Sequence, residues 1–497
     1  MLRDVTHKVT DGLLGFATAT GDRKHLKIGV APVVSDTPII VTGDMDAAKI
    51  KARLGLSPLA DAVMDAVQFG AARTYCLPVA ATTAGEFGEV VKKGGGGGNM
   101  TVEGSPTNAF SVVVKITAQG GLNAAAFVVS IDGGNSFTDE ITVPVTGEYA
   151  LEGTGLKLKF TEAAQEDQKP SSFIVNDAYS FTTTAPTMTN GDVLAAIDKL
   201  KNFAEEYEFI HIVGASDLPL WLAVSEAQVQ LRDTYHKPVF VMMEAGYPEP
   251  SGNGTAITVN IDAEGDLTDW ALGMEAKKKQ VKNYDVQVVT AWGRLVKMDG
   301  TTQIVNLAGV VSGLYAKAKV QESIGKTREE AGFGLPKTKL LELLPAELDN
   351  SIVELLDKAG YLTFREYDGL DDFYVYHAKM LSPDGSDFRY AEDVRIKNKI
   401  IRETRKEGLL LLNDDIDLED VQGELEARAK FMFAPLQRMI DAKEISSAEI
   451  IVPEGQEATI LKDETMRVKI RYVSRGYIRE VEVDLGRAQP SEWGKGG

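Results

Sequence analysis

The stretch MRVKIRYVSRGYIREVEVDLGR, residues 466–487, alternates apolar and charged residues with a period of two. That period sets successive side chains on opposite faces of a strand, and a helix cannot satisfy it. A two-residue turn at Arg475–Gly476 folds the halves together so that Ile470 meets Val481, Val468 meets Val483 and Met466 meets Leu485. On the opposite face Arg471 meets Glu480, Lys469 meets Glu482 and Arg467 meets Asp484. Each cross-strand pair contributes roughly 0.2–1 kcal/mol, and a slip by one residue turns every side chain to the wrong face. A lone hairpin is marginal in water, so this one needs more strands, from its own chain or from another copy adding to an open edge. LRDVTHKVTDG, residues 2–12, is a second β-leaning segment, carried by Val5 and Val9. Both ends of the sequence therefore read as extended arms.

Between them lies enough chain for about three domains, each large enough to bury a core. No apolar run approaches the ~20 residues that cross a bilayer, and the first residues lack a signal-peptide core, so neither membrane insertion nor export is expected. The net charge of −20 argues against nucleic acid or an anionic membrane as partner. The single cysteine, Cys76, lies in the apolar run TYCLPV and reads as a buried thiol of a protein from a reducing cytosol. Five histidines, His7, His25, His211, His236 and His377, have no metal-ligand spacing.

Along the chain, HLKIGVAPVV and TPIIVTG (25–34 and 37–43) read as strands and DMDAAKIKARLG as a helix with an acidic start. SPLADAVMDAVQFGA is a second helix with a Ser N-cap and Pro at its first position, and ARTYCLPVA is a strand. GGGGG at 94–98 breaks this unit and reads as flexible chain. From there to Thr184 the segments FSVVVKIT, AAFVVSID, DEITVPV, TGLKLKF and SSFIVND are β-rich, and SIDGGNSF (130–137) resembles an Asp-box hairpin, a structural turn. TNGDVLAAIDKLKNF returns to helix. EFIHIVGASD, a helix PLWLAVSEAQVQLRDTYH and KPVFVMMEA then make a βαβ unit, and DVQVVTAWG adds a strand. Later come a helix at NSIVELLDKAG, two strands around Asp368–Gly369, a charged helix YAEDVRIKNKIIRETRKEG and a long helix in 417–443.

The expected fold is multidomain, α+β and α/β: an α/β core with helices on a mixed sheet, an inserted all-β sandwich-like domain and extended N- and C-terminal strand arms. The divisions are an arm at 1–20, the core in two parts at 21–97 and 185–345, the β insert at 98–184, a C-terminal α/β domain at 346–463, and a hairpin or arm at 464–497.

No catalytic constellation emerges. SIGKT (323–327) looks like the end of a phosphate loop, but Val320 stands where the motif needs glycine. GASD (214–217) closes a strand, but Ser216 lacks the following glycine of a nucleophile elbow and reads as part of a helix start. NDDIDLED (413–420) lacks calcium-loop spacing and reads as an acidic helix start. The basic run RIKNKIIRETRKEG reads most simply as a solvated helix face, or one set against an acidic partner. Neither cofactor nor metal is expected, and no enzyme.

The order of blocks resembles the tail sheath proteins of contractile phage tails and related contractile injection systems. The blocks are GDRKHLKIGVA with PIIVTGDMDAAKIKARLGLSPLADAVMDAVQFGAARTYCLPV, then NLAGVVSGLYAKAKVQESIGKTREEAGFG, then DGLDDFYVYHAKMLSPDGSDFRYAEDVRIKNKIIRE. The resemblance implies a structural subunit forming stacked hexameric rings around an inner tube, contracting to drive the tube through a target envelope. It implies arms that add strands to neighbours' sheets, with Val5, Val9, Arg467, Lys469, Arg471, Glu480, Glu482 and Asp484 at the subunit joint. The implied partners are other copies of the chain, the inner tail tube protein, and baseplate and sheath terminator proteins. The implied location is a virion tail or injection particle assembled in a bacterial cytoplasm. Two other readings remain open from the residues: a soluble α/β hydrolase-like enzyme with a carbohydrate-binding β domain, and a non-contractile baseplate or surface structural protein.

Overall fold

A computed structural model describes residues 21–248 and 266–487. Val5, Val9 and the whole N-terminal arm lie outside the described residues. The chain forms two compact units divided after Arg405. It is a multidomain α/β protein with one mixed sheet and several small antiparallel sheets.

The first unit is organised by a six-stranded sheet. Its strands are β1 (His25–Val30), β2 (Ile39–Thr42), β3 (Arg73–Val79), β4 (Phe209–Ser216), β5 (Phe240–Ala245) and β6 (Val286–Val289), in the order β6-β5-β4-β1-β3-β2. All neighbours are parallel except β2, which runs against β3. The central strands are buried along both faces, which is why FVMMEA reads as a near-continuous apolar run. On one face Leu26, Ile28, Ile210, Ile212, Val241 and Met243 meet Trp221 and Val224 of the helix Leu218–Asp233. On the other, Phe209, Phe240 and Met242 meet Val310, Val311 and Leu314 of α2 (Ala308–Lys317). Beside it lies α1 (Pro58–Gln68), whose N-cap is Ser57: its hydroxyl oxygen accepts from the Ala60 amide at 3.2 Å and Pro58 opens the helix, as expected. The two helices touch closely because α2 presents glycine, and a Cβ on Gly313 would stand 2.6 Å from the Ala66 carbonyl.

The five glycines are not a flexible break. Lys92 Nζ donates to the Gly96 and Gly98 carbonyls at 2.5 Å each, and the Gly96 amide donates to Asp177 Oδ1 at 3.3 Å. A Cβ at Gly94 would lie 2.0 Å from Asp177 Oδ1, so glycine is required by close approach. Beyond this turn, two antiparallel sheets share one core. Met100, Val102, Leu156, Leu158 and Phe160 of the three-stranded sheet meet Val112, Val114, Phe127, Val129 and Phe181 of the five-stranded one. SIDGGNSF closes as a structural turn: Asp132 accepts from the Asn135 and Ser136 amides at 3.1 and 3.0 Å and from the Ser130 and Ser136 hydroxyls at 2.6 and 2.8 Å. Those donors hold its carboxyl below the usual range against the cost of burial.

The strands Phe364–Glu366 and Asp372–Val375 pair antiparallel around Gly369, as expected. The basic run that follows departs from its solvated reading. In α3 (Ala391–Leu409), Arg395, Lys397, Asn398, Lys399 and Arg402 are all buried.

The second unit contains α4 (Val421–Asp441), capped by Asp420 accepting from the Gly423 amide, and a two-stranded sheet of β7 (Ser447–Ile451) and β8 (Lys469–Val473). Here the closing hairpin is corrected. β8 pairs antiparallel with β7, so Ile470 faces Ile450 and Arg471 faces Glu449, in place of Val481 and Glu480. Sequence alternation fixes which residues share a face but leaves the partner open. SAEII offers the same alternation, and α4 packs against it.

Candidate assembly interface

After β8 the chain runs on without regular structure from Ser474 to Arg487. Ile478, Val481, Val483 and Leu485 are 86%, 75%, 77% and 93% exposed. Val481, Val483 and Leu485 alternate with Glu480, Glu482 and Asp484, so an extended conformation puts an apolar row on one side and an acidic row on the other. Among the described residues the β7–β8 sheet has two strands, so each has an outer edge to which no further described strand pairs. One unit thus holds a strand-like segment with exposed apolar side chains and a sheet with open edges.

The basic residues expected at a joint are in three different settings. Arg471 lies 3.6 Å from Glu449 across β7–β8, with both side chains more than half exposed. Lys469 faces Ile451. Arg467 is clamped through its backbone by Gln456, whose amide donates to the Arg467 carbonyl and whose oxygen accepts from its N–H. Among the described residues these three are not paired with Glu480, Glu482 and Asp484.

A second arrangement lies in the first unit, and sequence reasoning missed it. Three acids stand just ahead of parallel strands: Asp22 three residues before β1, Glu208 directly before β4 and Asp285 directly before β6. Helix α3 reaches all of them at the N-terminal edge of the sheet. Arg395 holds Glu208 in a two-pronged pair at 2.5 and 3.1 Å, both side chains fully buried. Its guanidinium also donates to the Tyr315, Ala318 and Lys319 carbonyls at 3.1 to 3.2 Å, closing the end of α2. Lys397 meets both oxygens of Asp285 at 2.7 and 2.9 Å. Lys399 and Arg402 meet Asp22 at 2.6 and 2.9 Å. Despite burial, those two cations hold the Asp22 carboxyl below the usual range. The findable signal was the i, i+4, i+7 spacing of Arg395, Lys399 and Arg402, one face of a helix, together with an acid ahead of three of the strands.

The sites weighed for chemistry are otherwise engaged. Ser216 is buried, donates to the Glu244 carbonyl at 2.6 Å and accepts from Trp221 Nε1 at 2.9 Å, so it offers no exposed nucleophile. Lys326 of SIGKT pairs with Glu322 at 2.5 Å. Cys76 is buried, and burial pushes its thiol up to about 12.

A family model described as DUF2586, N-terminal domain, matches residues 2–378, and one described as DUF2586, C-terminal domain, matches residues 387–492. The chain belongs to the DUF2586 family. No curated protein matches it. Among solved structures, this DUF2586 chain is similar to a chain of the PVC sheath complex, an extracellular contractile injection system in its contracted state. The TM-score is 0.51 at 11% identity, and the match covers 98% of each chain. A chain of the anti-feeding prophage baseplate in its contracted state gives 0.52 at 11% identity, again over 98% of each. A sheath tail protein from Desulfitobacterium hafniense gives 0.48 at 14%, covering 91% of this chain and 93% of that one. The fold of this DUF2586 chain is that of contractile-injection sheath proteins, in keeping with the resemblance carried by the order of its sequence blocks.

Proposed function

We propose that this chain is the sheath subunit of a contractile injection particle. It polymerises as stacked hexameric rings around an inner tube and contracts to drive that tube through a target envelope, without enzymatic activity. Copies are linked by strand exchange, in which residues 478–485 of one copy add to an outer edge of the β7–β8 sheet of another. Val481, Val483 and Leu485 are then covered, and Glu480, Glu482 and Asp484 come beside the row of Arg467, Lys469 and Arg471. The pairing drawn within one hairpin from the sequence is thereby satisfied between copies. Val5 and Val9 belong to a second such arm, and the β insert at 98–184 projects away from the rings. A particle built this way is assembled in a bacterial cytoplasm and also meets an inner tube, a baseplate and a terminator.

The observation that carries this reading is the joint presence, in one unit, of four exposed apolar residues on a segment without regular structure and a sheet that has two strands among the described residues. Backbone hydrogen bonds across such a joint hold while the linked bodies rotate. The test is negative-stain electron microscopy of the purified protein across a concentration series. The wild type is expected to form striated tubes. Val483→Pro removes a backbone donor from an exposed segment and is expected to abolish tubes while leaving the folded monomer intact. Tubes from the proline variant as abundant as those from the wild type overturn strand exchange through this segment.

A further inference from the structure

The face of the sheet beneath α1 and α2 carries a row of polar side chains where a dry core is expected. Three strands in register present His25, Phe209 and Phe240 in one row, the rings stacked at 5.0 Å, and Lys27, His211 and Met242 in the next. Lys27, His211 and Ser312 are fully buried and Glu244 nearly so. Lys27 Nζ meets His211 Nδ1 at 2.6 Å and donates to Ser312 Oγ at 2.9 Å. The serine hydroxyl itself donates to the Ala308 carbonyl of α2, so its oxygen is the acceptor. On the other side of the ring His211 Nε2 meets Glu244 Oε1 at 2.8 Å. Glu244 Oε2 accepts from the Gly214 amide at 3.0 Å, at the irregularity where β4 shifts register against β5.

An amine and a carboxyl are thus separated by one imidazole in a low-dielectric interior. An isolated buried ammonium and an isolated buried carboxylate are each expensive. We propose that Lys27, His211 and Glu244 form a proton-sharing relay, a pH-sensitive device set into the central sheet that makes the first unit least stable near neutrality. In the charged state the ammonium donates to Nδ1 and the Nε2–H donates to the carboxylate. In the neutral state the Nζ–H bond breaks as Nδ1–H forms, and the Nε2–H bond breaks as Oε1–H forms. The lysine becomes an amine, the glutamate a carboxylic acid, and the imidazole stays neutral while changing tautomer. Protons enter at the Glu244 end, where Gly214 has open space around it and Ala215 is exposed.

The surroundings bias the relay as required. From α1, Asp65 faces the site but is engaged by Lys297 at 2.6 Å, with Asp61 and Asp299 beyond. From β3 comes Cys76, and from β1, His25. Burial, followed by Lys27 and His25, holds His211 well below the ordinary histidine value, so the ring is neutral. Burial lowers the Lys27 pKa to about 7 and raises that of Glu244 to about 7. The sign follows by linkage. Folded Glu244 keeps a proton that the unfolded chain releases above about 4.5, so its contribution to stability falls as pH rises to about 7. Folded Lys27 has given up a proton that the unfolded chain keeps up to about 10.5, so its contribution rises as pH climbs above about 7. The two slopes meet in a trough.

The experiment compares melting temperature against pH for the full chain and for the double variant Lys27→Met/Glu244→Gln. The double variant lacks both titrating groups and keeps an acceptor for Gly214. The excess melting temperature of the variant is expected to peak near pH 7 and to shrink by several degrees toward pH 5 and toward pH 9. Parallel profiles overturn the relay. A second readout does not depend on the variant folding: nitrogen-15 spectra of the histidine-labelled wild type, assigned with His211→Gln. A His211 ring that stays neutral from pH 5 to 9 supports the relay. Titration to an imidazolium near its ordinary value overturns it.

Discussion

Removing the Arg395 side chain is the sharpest test of how the first unit is held together. Arg395→Ala strips both prongs from the buried Glu208 carboxylate, which among the described residues keeps the Arg23 amide at 3.1 Å. Breaking a buried ion pair from one side costs about 3–5 kcal/mol, because the remaining charge stays desolvated. The carbonyls of Tyr315, Ala318 and Lys319 also lose their donor, and each buried acceptor left unpaired adds about 1 kcal/mol where water does not reach it. Counting the carbonyls of the buried Tyr315 and Ala318 and not that of the exposed Lys319, the expected cost is about 5–7 kcal/mol. It falls on the seating of α3 across the sheet edge and on the end of α2. Hydrogen exchange reads it locally: at about 1.4 kcal/mol per decade, amides of residues 391–405 exchange about a thousandfold faster or more. The double variant Glu208→Leu/Arg395→Met removes both charges and is expected to recover most of the loss, because a buried pair replaced as a whole is often near neutral. If Arg395→Ala shifts exchange of α3 by less than tenfold, the ion pair does not seat the helix and the reasoning fails.

Two further outcomes follow from the same geometry. Gly96→Ala puts a Cβ 2.2 Å from Asp177 Oδ2 and 2.5 Å from the Ser172 carbonyl, and is expected to lower the stability of the β insert by about 2–3 kcal/mol in a urea titration, whereas a flexible linker would tolerate it. Asp22 has a lowered pKa, so its contribution is complete above its ordinary value of 3.8 and is lost as pH falls through the lower folded value; Asp22→Asn is expected to flatten the acid limb of the stability profile there, and an unchanged limb would refute its pairing with Lys399 and Arg402.

Much of the chain was legible because its signals are local. Ser57 followed by Pro58 announces a helix start, Asp132 with its neighbouring glycines and serines closes its own turn, and the short turn-bounded segments of β1, β4 and β5 read as strands. Each depends on residues a few positions apart. The misreadings share the opposite character. RIKNKIIRETRKEG looks solvated until its acids are found at Asp22, Glu208 and Asp285, far away in sequence but brought together by the parallel sheet. GGGGG looks slack until Asp177 closes against it from across the insert.

The sequence by itself determined the alternation at the end of the chain, and therefore which of its residues share a face: Arg467, Lys469 and Arg471 on one, Ile470 on the other. It also determined that the stretch needs a partner, since so short a β segment cannot stand alone. Only the tertiary structure decided which partner. Ser447–Ile451 is seated against α4 and takes β8, leaving Val481, Val483 and Leu485 exposed. The physical reason is that periodicity fixes where side chains point, whereas backbone hydrogen bonds are the same at every residue. The choice of neighbour falls to whichever strand the rest of the fold holds in place.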